Sequence, residues 1–441
     1  MASNQKKILV DWVENQLHCL SPGDLFPSTV SIAKRFLVSP ATVRRVFQEF
    51  RQRGSVSCTP GKGVHIPLPA PLPESQQMRR CSSAEAIADQ LALLITSGRY
   101  RVGTALPSVK YISLQFRVRP ATVIEAYQTL GQRGLVTKIG RRHAIGSFGN
   151  NLGLKVGRRI ICSLEHTSNI AELFGATHVR GATMQALEKE LVTQGFRLDI
   201  AFHKDATQGA DEFRNPKDKV AGVILPYVGR SRFEEFRRRL QRVNPAAIDT
   251  VRFLVECDQP PGSRLPNVCH WSAESLDRAV AASVVSFVLK MGFRSIHLHR
   301  SFPEGDDEST DLLRVVQQKL QQAAGRIMIT LSRGRNPEPP RLHLDGGKEA
   351  PALWVFTTDR EALNGYTRAS AAGIQVPQQL SVLSLENGEL SRMHGLSCCA
   401  PDTDRTGYLL AHSLIGDIEV DRTDAGEICG AAYLIERQTT P

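Results

Sequence analysis

The chain is 441 residues long, with 41% apolar and 22% charged residues and a formal net charge of +11. That length suits two or three domains, and that composition excludes a wholly disordered or fibrous chain. Residues 1–150 hold 20 Lys and Arg against 8 Asp and Glu, while the remaining 291 hold 35 against 36, so a basic, polyanion-binding head on a neutral body is expected.

The N-terminus leads into an amphipathic stretch rather than an apolar signal core. The longest apolar run, near residues 279–289, falls short of the roughly 20 residues that span a bilayer. No membrane partner is expected, and the cytoplasm is the expected location. Nine scattered cysteines with no C-x-x-C pair read as reduced thiols. The adjacent Cys398 and Cys399 read as small buried residues rather than a redox pair.

The basic third repeats itself. Residues 22–56 recur at a spacing of 80 without a gap, with 15 of 35 positions identical, among them Pro27, Ser28, Ile32, Phe36, Thr42 and Val43. That is duplication of one small domain. In each copy an apolar stripe (Leu9, Val13, Leu17; Ile87, Leu91, Ile95) predicts a first helix. Ser28 and Ser108 suit the cap of a second, short helix. After a turn of about three residues, Ser39–Pro40 opens a third helix that buries Val43, Val46, Phe47 and Phe50 and stops at Gly54. Two short helices across a tight turn form a helix-turn-helix, whose second helix fits a major groove. A wing is expected next: strands around Ser55–Ser57 and Val64–Ile66 flank the tip Thr59–Gly63, and in the second copy the tip is Ile139–Arg142.

These residues, PGDLFPS…IAKRFLVSPATVRRVFQEFRQRGSV…GKGVHI and LPSVK…ATVIEAYQTLGQRGLV, resemble the winged-helix domain of GntR-type bacterial transcription regulators. The resemblance covers about 60 residues of each copy and implies that double-stranded DNA is the polyanion. Candidate DNA-binding residues are Ser39, Thr42, Arg44, Arg45 and Lys62 in the first copy. In the second they are Arg117, Arg119, Thr122, Lys138, Arg141 and Arg142. Arginine grips guanine O6 and N7 with two parallel bonds, and lysine suits backbone phosphate. The second copy carries Arg119 in place of the capping Ser39, and Ile124–Glu125 in place of Arg44–Arg45. The first copy is therefore the expected base reader.

Alternating prolines at 67–73 read as a stiff spacer, and residues 147–153 as a more flexible one. The expected domains are a winged helix at 1–67, a Pro-rich linker at 68–82, a second winged helix at 83–147, a linker at 148–157, and a body at 158–438. In the body, candidate strands Arg159–Leu164, Arg197–Phe202, Ala221–Leu225, Arg252–Val255, Ser295–Leu298, Ile327–Leu331, Leu353–Phe356 and Ser381–Leu385 alternate with amphipathic helices. Such alternation predicts parallel sheets covered on both faces, and the length of the body predicts two lobes. ALWVFTTDREALNGYTRASAAGIQVPQQLSVLSLENGEL and LSCCAPDTDRTGYLLAHSLIGDI resemble the LacI-type effector domain, the two-lobed fold shared with periplasmic sugar-binding proteins. The resemblance implies a small-molecule effector, sugar-like among the candidates, held between the lobes at the carboxyl ends of strands. The candidate effector contacts are Glu165, Tyr227, Trp271, Arg300, Thr358, Asp359 and Glu386. The expected fold is thus two winged helix-turn-helix (α+β) domains followed by a two-lobed α/β periplasmic-binding-protein-like domain.

No H-E-x-x-H, phosphate-loop, G-x-S-x-G or post-strand G-x-G-x-x-G motif occurs, so no enzyme activity and no cofactor are expected. His297 and His299, two apart on a candidate strand, are expected to face opposite ways, and no metal site is expected. The leading expectation is a ligand-responsive regulator, a repressor acting as a homodimer. The alternatives are a constitutive architectural DNA binder with a ligand-free dimerisation body, or an enzyme body on a DNA-binding head.

Overall fold

The computed structural model describes residues 9–10, 13, 26–36, 38–52, 56–59, 63–65, 83–139, 142–146, 158–165, 179–214, 220–226, 228–257, 267–300, 309–323, 327–334, 338–339, 344–345, 348–349, 352–424 and 426–441. The chain divides into two compact units, Met1–Asn150 and Asn151–Pro441.

In the first unit, α1 (Thr29–Phe36) and α2 (Pro40–Gln52) precede the antiparallel hairpin of β1 (Ser57–Thr59) and β2 (Gly63–His65). Further along come α3 (Ala84–Thr96), α4 (Val109–Phe116) and α5 (Pro120–Gln132), then the hairpin of β3 (Val136–Ile139) and β4 (Arg142–Ile145). The caps read from sequence are made. The Ser28 hydroxyl accepts from Ser31 N at 3.1 Å, and that of Ser108 from Tyr111 N at 3.2 Å. The Ser39 hydroxyl accepts from Thr42 N at 3.1 Å, whereas Arg119 offers α5 no side-chain cap. Leu9 and Val13 join Val43, Val46, Phe47 and Phe50 in one core, and Ile87, Leu91 and Ile95 join Val123, Ala126, Tyr127 and Leu130 in another. On α2 and α5 these residues fall at i, i+3, i+4 and i+7, the spacing of one helix face. Each large apolar side chain so buried contributes about 1.5–3 kcal/mol.

The wing tips are shorter than the sequence suggests. Thr59 pairs with Gly63 and Ile139 with Arg142, so three residues (60–62) join the first hairpin and two (140–141) the second. The spacing of 80 therefore becomes 79 beyond the tip. Phe26 N donates to Val64 O at 2.8 Å, and its counterpart Leu106 N donates to His143 O at 2.7 Å.

Among the described residues the second unit holds two large sheets and a short antiparallel pair, Leu344–Asp345 with Lys348–Glu349. One has the order β6–β5–β7–β8–β9, all parallel, from β5 (Arg158–Glu165), β6 (Phe196–His203), β7 (Val220–Leu225), β8 (Arg252–Glu256) and β9 (Val268–Trp271). Its helices include α6 (Val179–Thr193) and α7 (Arg230–Val243). After α8 (Glu274–Met291) the other sheet has the order β11–β10–β12–β13–β14–β15. Its strands are β10 (Ser295–Arg300), β11 (Met328–Arg333), β12 (Ala352–Phe356), β13 (Leu380–Ser384), β14 (Ser397–Pro401) and the antiparallel edge β15 (Ala432–Ile435). The helices α9 (Ser309–Ala323), α10 (Asp359–Ala371), α11 (Glu389–His394) and α12 (Thr403–Ile415) lie between its strands or follow β14. Parallel strands buried on both faces read as continuous apolar runs. On β12, Leu353 and Val355 enter one core while Ala352, Trp354 and Phe356 enter the other.

All eight expected strands are present with no end moved by more than two residues; β9, β14, β15 and the short pair at 344–349 were not foreseen. The helix α12 leaves β14 of the second sheet and packs on α6 of the first. Gly407 permits that approach, since a Cβ there would lie 2.6 Å from Leu187 N and 2.7 Å from Thr183 O. The chain thus passes between lobes three times: after β9, after β14, and before β15. Glu427 ties the crossings, accepting from Ser272 Oγ at 2.5 Å and from the Arg278 guanidinium, while Ile428 N donates to His270 O at 2.8 Å.

The expectation for the two histidines needs correcting. Residues two apart on a strand share a face. His297 Nδ1 and His299 Nδ1 both bond hydroxyls of the neighbouring strand β11, those of Thr330 and Ser332, the latter at 2.8 Å. Among the described residues no group of three or more His, Cys, Asp or Glu is placed to hold a metal ion. Cys398 and Cys399 are both buried, and burial pushes the Cys399 thiol up to about 12.

Candidate nucleic-acid interface and effector site

The buried stripe of α2 leaves Ala41, Arg44, Arg45 and Gln48 exposed at the same i, i+3, i+4, i+7 spacing on the opposite side. Arg44 and Arg45 are therefore both exposed on the outward side of the second of two helices separated by a short turn. Ser39 and Thr42 are partly spent locally: their hydroxyls lie 2.9 Å apart, and Ser39 also caps the helix. On α5 the pattern of buried and exposed positions along 120–131 matches that of 40–51 residue for residue. Its outer stripe, however, is Ala121, Ile124, Glu125 and Gln128. The positive charge stands earlier. Arg117 ends α4 in the left-handed region at φ 53°, and Arg119 is the exposed residue that opens α5. Thr122 is half-buried and its amide bonds Arg119 O at 3.1 Å. Lys138 is exposed on β3. Of the remaining candidates, Lys62 and Arg141 lie outside the described residues, as does the side chain of Arg142.

In the second unit each of the two large sheets begins with the strand order second–first–third–fourth–fifth. A crevice opens where consecutive connections leave in opposite directions, at the carboxyl ends of the first and third strands. For the first sheet those ends are Glu165 and Leu225; for the second they are Arg300 and Phe356. The sequence-derived effector candidates divide on this edge. Glu165, at the end of β5, accepts from the guanidinium of Arg232 in the first turn of α7. Tyr227 and the side chain of Arg300 lie outside the described residues. Trp271 is only 1% exposed, so its ring is core and offers no face for stacking. Thr358 is the N-cap of α10, accepting from Glu361 N at 3.3 Å while Glu361 accepts from Thr358 N at 3.2 Å. Asp359 is 3% exposed and is used within the lobe. Its Oδ1 accepts from Ser384 Oγ at 2.7 Å and from the Ser391 hydroxyl; its Oδ2 accepts from Gly388 N at 2.7 Å and Ser391 N at 3.1 Å. Glu386 is exposed and accepts from Asp359 N at 3.0 Å.

One ion pair on this edge escaped the sequence reading. Glu256 ends β8, is nearly buried, and accepts from Arg180 Nε at 2.6 Å, Arg180 being in the first turn of α6. Arg180 and Arg232 thus both stand at helix N-termini, where a cation opposes the helix dipole, and each is offset by a strand-end glutamate. A charge closing the apolar run Arg252–Glu256 was the available signal.

Residues 83–144 match the family model for bacterial regulatory proteins of the gntR family, and residues 285–440 match that for a periplasmic binding protein-like domain. No curated protein matches the chain. Among solved structures, a sugar-binding transcriptional regulator of the LacI family from Enterococcus faecalis shares 16% identity over 64% of this chain and 97% of its own, with a TM-score of 0.34. A LacI-family transcriptional regulator from Bifidobacterium animalis shares 16% over 64% and 97%, with a TM-score of 0.37. The transcriptional repressor ascG of Escherichia coli shares 12% over 64% and 98%, with a TM-score of 0.40. The chain therefore carries a DNA-binding region of the gntR type and, in its body, a periplasmic-binding-protein-like domain. Among the described residues no helix is long and apolar enough to cross a membrane.

Proposed function

We propose that this chain is a cytoplasmic, effector-controlled transcription regulator that reads DNA with two tandem winged helices, at 1–67 and 83–147. The observation that carries the reading is the repeat itself. The segment 26–65 reproduces, at a spacing of 80 and then 79, the serine cap of the short helix, the core stripe and the hairpin tie of the region matched to gntR regulators. Arg44 and Arg45 contact base edges; Lys62, Lys138, Arg141 and Arg142 contact phosphate. The body, at 158–438, holds a polar small molecule against the strand ends that carry Glu165–Arg232 and Arg180–Glu256, and it pairs two chains into a homodimer. Effector closure of the lobes changes the placement of the DNA-binding heads, and a coupling of about 1–3 kcal/mol switches occupancy in the direction of repression without effector or release with it.

The test has two arms. Duplex affinity of the full chain, measured against salt, should fall steeply on a log–log plot, because each phosphate contact releases condensed counterions; a slope near zero removes the DNA-binding premise. A thermal-shift screen of sugars, sugar phosphates and other polar metabolites should find one that raises the melting temperature of the body. If no such compound alters either melting or DNA affinity, the body is a dimerisation unit alone.

A further inference from the structure

The two outward helix faces carry different chemistry at matched positions. Along 40–51 and 120–131 every residue has the same burial class as its counterpart, so the substitutions between copies fall on a common scaffold. Ala41 and Gln48 are kept as Ala121 and Gln128, Arg44 becomes Ile124, and Arg45 becomes Glu125. Charge removed from the helix face reappears in the turn before it, where Leu37 and Ser39 are replaced by Arg117 and Arg119. Arg117 and Arg119 flank the N-terminus of α5, where amides and guanidinium groups suit backbone phosphate. The stripe one turn further in now offers an aliphatic group, 46% exposed, and a carboxylate.

In the major groove the thymine C5 methyl is the apolar feature, and the N4 amine of cytosine is a donor that a carboxylate accepts. A carboxylate is repelled by the acceptor atoms O6 and N7 of guanine, the very atoms that arginine seeks. The second helix face therefore does not merely lack the guanine-reading groups of the first; it selects against guanine.

We propose that the two copies specify unlike half-sites. The helix Pro40–Gln52 reads a guanine-containing step through Arg44 and Arg45. The helix Pro120–Gln132 reads a thymine- and cytosine-containing step through Ile124 and Glu125, anchored to phosphate by Arg117 and Arg119. This rests on the reading that both copies enter DNA, and it makes each chain's target bipartite and asymmetric rather than a repeat of one motif.

The full chain is first used to select sites from randomised duplexes. The selected site is then rebuilt with deoxyuridine for thymidine in its second half, which deletes only the methyl group. The wild-type chain should enrich two unlike halves, and uracil should weaken its binding several-fold. In Ile124→Ala the uracil effect should vanish, because the methyl has lost its partner. The double variant Ile124→Arg/Glu125→Arg should shift the second half toward guanine, with preference changed by about ten-fold at that step. Both positions are exposed, so melting of the variants should match wild type. Two like halves, an unchanged second half in the double variant, or a uracil effect that persists in Ile124→Ala would overturn this inference alone. Failure to bind any duplex at low salt would overturn the DNA-binding reading and this inference with it.

Discussion

Asp359 distinguishes a ligand contact from a structural anchor, and its environment sets the size of the effect. Four donors of the lobe converge on its carboxylate: two backbone amides on Oδ2 and two serine hydroxyls on Oδ1. These bonds hold the chain that leaves β13 and the start of α11 against the first turn of α10. In Asp359→Ala the amides of Gly388 and Ser391 lose their acceptor inside a buried site. Each such orphaned group costs about 1–3 kcal/mol. Adding the lost hydroxyl bonds, and allowing for relaxation, about 4 kcal/mol is expected, at the upper end for single substitutions. For a unit of this size that lowers the melting temperature by roughly 6–7 °C. Asp359→Asn should cost far less, near 1 kcal/mol, because a flipped amide still accepts both backbone N–H groups and donates to the two hydroxyl oxygens. The assay is calorimetry of the full chain, where separate domains unfold in separate transitions. Only the transition of the body should move. If Asp359→Ala melts within about 2 °C of wild type, the anchoring argument fails.

His412 predicts a pH dependence of the body. Burial alone would lower its pKa, but Asp417 Oδ1 on Nδ1 at 2.8 Å and Glu190 Oε1 on Nε2 at 3.1 Å outweigh burial and raise it above the ordinary 6.5. A raised folded value means that stability is fully present below pH 6.5 and is lost as pH rises through the folded pKa. Melting measured from pH 6 to pH 9 should therefore fall more in wild type than in His412→Gln, and parallel curves would refute it. Gly407→Ala should destabilise the body by about 1–3 kcal/mol, because its Cβ meets backbone of α6 rather than a yielding side chain; an unchanged denaturation midpoint would refute the packing. Arg44→Ala should weaken specific DNA binding by about ten-fold through lost base discrimination. By contrast Lys138→Ala should weaken binding to all sequences alike and reduce the salt slope by about 1. Filter-binding or anisotropy titrations separate the two.

The legible parts of this fold were those fixed by short-range physics. Helix caps at Ser28, Ser39 and Ser108 follow from a hydroxyl placed before an apolar periodicity, and the central strands from apolar runs too long to face water on either side. The wing tips were misjudged because Thr59, Gly63, Ile139 and Arg142 are all acceptable in a turn or a short strand, and only cross-strand pairing decides between them. The strands β9, β14 and β15 were missed because four or five residues such as VCHW or SCCAP are too short to show a period. The error over His297 and His299 was one of geometry rather than information, since a period of two puts them on one face.

The sequence places the effector candidates along the strands but does not fix what their polar groups bond. Strand ends follow from the order of alternating elements, so Glu165 and Arg300 close their strands and Thr358 stands just beyond one. Whether a polar group there faces a ligand or serves its own lobe depends on donors brought from elsewhere. Asp359 meets Gly388 and Ser391 from some thirty residues away, and Glu256 meets Arg180 from 76 residues away. The same distance effect hides the ties between the crossings. Glu427 binds Ser272 and Arg278 from about 150 residues downstream, and thereby joins two of the three crossings between lobes. Any closure of the lobes has to bend all three crossings together, so a cluster that locks two of them favours discrete open and closed arrangements over continuous flexing, which is the condition under which a small effector can act as a switch.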